Sequence, residues 1–127
     1  MKSLRLALDW TPNVNHIGLF VAKELGFYQE VGIDLTLVSP HDDNYQTTPG
    51  KKLELRTVDM AIAPFETVIS LQNKENKVDA LAIYALLQED ISSIATLTIT
   101  GIRRPKDLDS KLYASYKARY EDHIVQQ

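Results

Sequence analysis

Strand-like and helix-like patterns of apolar residues alternate along this chain. Leu4, Leu6 and Leu8 recur at every second position, which predicts a short first strand. From His16 onward the apolar residues recur with helical spacing, at Ile17, Phe20, Val21, Leu25 and Tyr28. Gly26 is a suitable residue to end this helix, with one extra turn after it. The chain therefore begins as a strand-helix unit.

The same alternation continues along the chain. Residues 33–37 predict a second strand, and the polar segment 39–50 predicts a loop. A short helix over 51–57 and a third strand over 58–64 are expected next. Apolar residues from Phe65 onward then predict another helix.

Two further apolar segments, 78–88 and 92–100, are predicted as strands, which gives the order β-α-β-α-β-α-β-β. Such an order indicates an α/β fold: a mostly parallel sheet with helices on both faces. After Pro105 the pattern starts again, with a helical turn, a short strand over 112–115 and a helix from Ala118.

Composition narrows the functional classes. A length of 127 residues is near the commonest size for one domain. The net charge of −3 gives no electrostatic reason to expect nucleic acid as a partner. Because the chain has no cysteine, disulfides, thiolate metal sites and a cysteine nucleophile are excluded.

The sequence also bears on membranes and location. The sequence has no apolar run of about 18 residues, so no membrane span is predicted. The N-terminal segment "MKSLRLALDW" lacks the apolar core and cleavage site of a signal peptide, so a cytoplasmic location is expected for the sequence as written. The mature form of an exported protein would look the same, which leaves a periplasmic or extracellular location as the alternative.

Ligands of open parallel sheets bind beyond the carboxyl ends of the strands. Four segments leave predicted strand ends, and each is rich in polar or aromatic residues: "DWTPN", "APFET", "LLQED" and "SYKARYE". Structural interpretations compete with a ligand site. Asn13 or Asn15 could cap the first helix, Trp10 could pack in the core, and Glu66 could be favoured by the helix dipole alone.

The three histidines, His16, His41 and His123, are scattered and match no metal-binding spacing, so no metal site is predicted. His16 could donate to a ligand or bond to a backbone carbonyl. The nucleotide-binding and esterase motifs GxxxxGK[ST], GxGxxG and GxSxG are absent from the sequence.

The same strand ends carry a resemblance. The segments "LDWTPNVNHIGLFVAKELGFYQEVGIDL", "VDMAIAPFETVIS", "ALLQED" and "YASYKARYEDHIV" resemble the NMT1/THI5-like group of substrate-binding proteins, in order and over nearly the whole chain. That group includes bacterial binding components for thiamine-pyrimidine precursors and fungal relatives. The resemblance implies a type II periplasmic-binding-protein fold, in which two α/β lobes close on a small ligand.

The resemblance also implies a ligand-binding set and no catalytic residue or cofactor. In chain order the set is Trp10, Asn13, His16, Pro64, Glu66, Thr67, Gln88, Tyr116, Tyr120 and Glu121. The first three are expected at the cleft edge of the first lobe, and the next three at a helix start in the same lobe. Gln88 is expected near the hinge crossing, and the last three in the second lobe. A flat heterocycle favours aromatic stacking and a carboxylate for an exocyclic amine, which are the residue types present.

A second lobe needs on the order of 100 further residues. The resemblance therefore divides the chain into an incomplete first lobe, residues 1–102, and the start of a second lobe, residues 103–127. Without the facing lobe most of the ligand surface would stay exposed to solvent. Dimerisation or domain swapping could cover the exposed edge of the sheet. An ABC permease is an implied partner only if the protein is exported.

Three functions remain open. The first is binding of a pyrimidine or similar heterocycle by a partial chain. The second is a structural or regulatory fragment without ligand binding. The third is a pyrimidine-precursor synthase, which is disfavoured because the alignment of the "VDM" strand places Ala63 and Thr67 where the synthases have a lysine and a histidine.

Overall fold

The computed structural model describes residues 1–89 and 93–114. The chain divides into two compact units, residues 1–83 and 84–127. The first unit is an α/β layer structure built on a parallel sheet, as the alternating pattern predicts. The second unit contains two short 3₁₀ turns within its described part.

The sheet has three parallel strands in the order β2-β1-β3. The strands are β1 (Lys2–Ala7), β2 (Ile33–Val38) and β3 (Met60–Ala61). Strand β1 is central: it pairs with β2 along its whole length and with β3 at its last two residues. Because parallel strands require crossovers, each returning strand is preceded by helical structure.

The helices follow the predicted order, and Gly26 ends the first of them with a left-handed φ of 80°. In chain order the helices are α1 (Ile17–Glu24), α2 (Phe27–Glu30), α3 (Pro49–Glu54) and α4 (Glu66–Gln72). Short 3₁₀ turns precede α1 at Val14–His16 and follow β2 at Pro40–Asp43. Thr48 caps α3 by accepting a hydrogen bond from the Lys51 backbone N–H at 3.2 Å.

The core lies where the carboxyl halves of the strands meet α3. Ala7, Val38 and Val58 form its buried centre, and Leu53 of α3 packs against them together with Ala61. Leu8 is also almost fully buried. Ala7 ends β1 and Leu8 follows it directly, so the chain is deeply buried just before the loop that the sequence singled out.

The helix predicted from Ile17 is confirmed as α1, but its apolar face is not buried. Ile17 is 62% exposed, and Phe20, Val21 and Leu25 are also exposed. Periodicity shows which side chains share a face of a helix, whereas burial needs a second layer against that face.

The two late strand predictions are wrong. Among the described residues, 78–89 and 93–97 belong to no strand, and Thr98–Thr100 is a 3₁₀ turn. Leu81 and Ile83 are almost four-fifths exposed. Strand propensity reflects packing on a pleated, half-buried surface, so apolar and β-branched residues form no strand without a neighbouring strand to pair with. Strand β3 is also shorter than the predicted 58–64.

The second unit keeps one predicted feature. Pro105 opens a 3₁₀ turn, Pro105–Leu108, whose Asp107 carboxylate accepts hydrogen bonds from the Arg104 guanidinium and backbone, both at 3.1 Å. These bonds hold the pKa of Asp107 below its usual range. Residues 112–114 are not in a strand, and the predicted helix from Ala118 lies outside the described residues. The division after residue 102 stays a prediction.

Within the part of the chain that the structure describes, no helix has the length and apolar character needed to cross a membrane.

Helices α3 and α4 approach closely at a glycine. A Cβ atom on Gly50 would lie 2.6 Å from the Cγ2 methyl of Thr67, which is closer than real side chains pack. Gly50 is buried, so the Thr67 methyl occupies the space that a side chain at position 50 would need.

We expect Gly50→Ala to destabilise the chain by about 1–2 kcal/mol, because overpacking outweighs the better helix propensity of alanine. Adding Thr67→Ser, which removes the methyl and keeps the hydroxyl, should recover part of that loss. Urea unfolding of both single variants and the double variant measures the coupling. Strictly additive losses would contradict the close contact.

Candidate functional site

The carboxyl ends of all three strands meet at one edge of the sheet. The Leu8 N–H donates to the Val38 carbonyl at 3.0 Å, and the Ile62 N–H donates to the Ala7 carbonyl at 2.8 Å. The loops that follow β1, β2 and β3 therefore leave the sheet side by side. This carboxyl edge is where open parallel sheets hold their ligands.

In the loop after β1, Asn13 caps the first helical turn. Its Oδ1 accepts from the Asn15 backbone N–H at 2.9 Å, and its Nδ2 donates to the Thr11 carbonyl at 2.9 Å. The capping interpretation is confirmed at Asn13. The role of Asn13 toward a ligand stays a prediction.

His16 is the most enclosed polar side chain of this loop, at 1% exposure. Its Nδ1 accepts from the Asn13 backbone N–H at 3.2 Å, and its Nε2 lies 2.7 Å from the Asp9 carboxylate. Since Nδ1 is an acceptor, we assign the proton to Nε2, which donates to Asp9. The ring thus joins the start of the loop to its end. A ligand that bonds to His16 must displace one of these partners.

Trp10 does not pack in the core, because 51% of it is exposed. Its ring centroid lies 5.5 Å from that of Tyr45, with an angle of 53° between the planes. The Thr11 and Tyr45 hydroxyls are 2.7 Å apart and share a hydrogen bond. The loop after β1 is therefore fastened to the loop after β2 at this edge.

The loop after β2 is held by polar contacts at its base. The Ser39 N–H donates to the Asp42 carboxylate at 2.9 Å, and Ser39 Oγ accepts from the His41 N–H at 3.2 Å. The buried Lys52 of α3 donates to Asp43 and forms an ion pair with it. This hydrogen bond holds the pKa of the Asp43 carboxyl below its usual range.

The loop after β3 carries three further predicted residues. Pro64 is exposed, while Glu66, the first residue of α4, is partly buried. A carboxylate at this position is stabilised by the positive end of the helix dipole. The methyl group of Thr67 packs against Gly50, as described above.

The remaining predicted residues lie in the second unit or outside the described residues. Gln88 belongs to the second unit, is exposed, and donates through its side-chain amide to the carbonyl of Ala85. Tyr116, Tyr120 and Glu121 lie outside the described residues. For every predicted site residue, a ligand contact stays a prediction.

Sequence reasoning missed Asp9, Thr11 and Tyr45. Asp9 is the second residue after β1. An acidic residue seven positions before a histidine matches no recognisable motif. Tyr45 lies in a polar segment that predicts only a loop. Pairing of β1 with β2 brings the two loops together, and spacing along the sequence does not show that contact.

Across residues 1–89 and 93–114, no group of three or more acidic or histidine side chains is arranged to hold a metal ion.

The sequence matches the NMT1/THI5 like family over residues 13–127. The chain belongs to this family. The three-stranded α/β unit is consistent with part of a periplasmic-binding-protein lobe.

Curated relatives of the NMT1/THI5-like chain carry different activities. It is 30% identical over 115 residues to the 4-amino-5-hydroxymethyl-2-methylpyrimidine phosphate synthase of Legionella pneumophila, covering 87% of this chain and 35% of the relative. It is 26% identical over 111 residues to the formylaminopyrimidine-binding protein of Halalkalibacterium halodurans, covering 85% of this chain and 31% of the relative.

A Haemophilus influenzae protein provisionally named for thiamine biosynthesis is 21% identical over 124 residues, covering 98% of this chain and 38% of the relative. The chain thus spans about a third of the length of the curated relatives that it matches.

We expect His16→Leu, which keeps the buried volume, to cost about 1–3 kcal/mol, because the Asn13 N–H loses its acceptor. Chemical unfolding measures this loss. His41→Leu is the matched control, since His41 is exposed and should tolerate the change. Equal effects at the two positions would contradict the assigned role of the buried ring.

The ion pair between Lys52 and Asp43 predicts a pH dependence of stability. Asp43 has a lower pKa in the folded chain, so its contribution is fully present above the ordinary carboxyl pKa and is lost as the pH falls through the folded-state pKa. The difference in unfolding free energy between wild type and Asp43→Asn should be constant from about pH 7 to 5 and shrink below about pH 4.

The exposed Asp34 of β2 provides the control, because Asp34→Asn should not reproduce this profile. A difference between wild type and Asp43→Asn that stays constant down to about pH 2 would contradict the stabilising role of the pair.

Proposed function

We propose that the carboxyl edge of the sheet in this chain binds a pyrimidine or a similar flat heterocycle. The observation that carries this proposal is the half-exposed Trp10, which lies in the loop after the central strand and contacts Tyr45 of the loop after β2. The name of the Halalkalibacterium relative, a formylaminopyrimidine-binding protein, supports the choice of ligand class.

The chemistry of the edge suits such a ligand. An aromatic face at Trp10 stacks a planar ring, and the Glu66 carboxylate is of the type that accepts from an exocyclic amine. The loop that carries Trp10 is fixed at both ends by His16 and Asn13, so less conformational entropy is lost when a ligand orders it.

The edge belongs to the first unit alone, so the proposal concerns one wall of a site. In the longer relatives the matching region is about a third of the protein. We therefore propose weak binding by this chain, because pockets that bind small molecules well cover most of the ligand surface.

The synthase activity named for the Legionella relative is the second candidate, because that relative is 30% identical to this chain. Ala63 and Thr67 stand where the resemblance places the lysine and histidine of the synthases, and this disfavours the activity. Addition of pyridoxal phosphate tests it: an absorbance band of a lysine Schiff base would favour the synthase, and its absence the binding protein.

Calorimetric titration with 4-amino-5-hydroxymethyl-2-methylpyrimidine tests the proposed binding. We expect heat above the blank at millimolar ligand, and at least about a tenfold loss of affinity in Trp10→Ala through lost stacking. Phe27→Ala, at a half-exposed aromatic residue of α2, is the control and should leave affinity unchanged.

The absence of heat in the wild-type chain at millimolar ligand would contradict the proposal. Equal affinities of wild type and Trp10→Ala would show that Trp10 does not contribute to ligand binding, although the chain still binds the ligand.

A further inference from the structure

Tyr45 reaches the candidate site from the loop after β2. Its ring contacts that of Trp10, and its hydroxyl bonds to Thr11. The His41 ring meets it in a T-shaped arrangement at a centroid distance of 6.3 Å. Tyr45 is nonetheless 46% exposed. Two neighbouring aromatic rings therefore both present surface at the carboxyl edge of the sheet.

The backbone that carries Tyr45 is in an unfavourable conformation. Asn44 and Tyr45 have φ values of 53° and 61°, in the left-handed region that residues with a side chain rarely occupy. Asparagine tolerates this region, whereas a bulky residue such as tyrosine does so only where its surroundings fix it. The contacts of Tyr45 with Trp10 and Thr11 are the surroundings that fix this conformation.

A second set of contacts, with α3 and within the turn itself, holds the same loop. Asp43, two residues before Tyr45, is paired with the buried Lys52 of α3. The Tyr45 N–H donates to the Pro40 carbonyl at 2.8 Å, which closes the turn. These contacts fix the backbone on both sides of Asn44.

We propose that Tyr45 is a second aromatic wall of the ligand site, with the Asp43 and Lys52 pair as positioning residues. This rests on the proposed binding of a flat heterocycle. Because the rings are tilted by 53°, a planar ligand stacked on one ring meets the other at an angle. The corner formed by the Trp10 and Tyr45 rings therefore selects planar, aromatic ligands over aliphatic ligands of similar polarity.

Trp10 is the single tryptophan of the sequence, so its fluorescence reports directly on this corner. The full chain is titrated with 4-amino-5-hydroxymethyl-2-methylpyrimidine, and Kd is taken from tryptophan quenching. We expect Tyr45→Ala to raise Kd at least about tenfold and Tyr45→Phe, which keeps the ring, to change it less than about threefold.

Phe27→Ala is the matched control and should bind like wild type. Tyr45→Leu keeps the apolar volume without the aromatic face, so it tests the proposal if Tyr45→Ala fails to fold; its Kd should also rise about tenfold. The positioning pair is tested with Asp43→Asn, whose tryptophan emission without ligand should shift as Tyr45 is released.

The outcomes separate this inference from the proposed function. Quenching in wild type with an unchanged Kd in Tyr45→Ala or Tyr45→Leu would overturn the role of Tyr45 and leave the binding function standing. No quenching and no calorimetric heat in wild type would overturn both. An unchanged tryptophan emission in Asp43→Asn would overturn the positioning role of the pair.

Discussion

The structure of the first unit depends on the parallel pairing of β1 with strands on both of its sides. Ala7, the last residue of β1, pairs with Val38 of β2 and Ala61 of β3, and all three are part of the buried core or pack against it. Because the three strands run in the same direction, their carboxyl ends and the loops after them meet at one edge. The register that buries the core thus also assembles the candidate site.

Local polar contacts turn that edge into a defined surface. His16 links Asp9 to Asn13 across the first loop, and Lys52 holds Asp43 at the base of the second. Buried polar groups with partners fix one arrangement, because any other arrangement leaves them without hydrogen bonds. The side chains that remain half-exposed, Trp10 and Tyr45, are carried by loops whose positions are set by these contacts.

The sequence was sufficient to predict the strand-helix alternation from β1 to α4, the turn at Gly26 and a cap at Asn13 or Asn15, because these depend on nearby residues. It was not sufficient for segments whose structure depends on distant partners. Leu81 and Ile83 are residue types that are common in strands, but both are exposed and neither lies in a strand. The contact between Tyr45 and Trp10 depends on the β1–β2 register, which no local motif shows.

Hydrogen-deuterium exchange with and without 4-amino-5-hydroxymethyl-2-methylpyrimidine tests most directly the central claim, that the carboxyl edge of the sheet is the ligand site. If the ligand binds at this edge, the loops 9–16, 40–48 and 62–66 become protected when it is added, and α2, which precedes the amino end of β2, does not change. Protection confined to other parts of the chain under saturating ligand would contradict this claim.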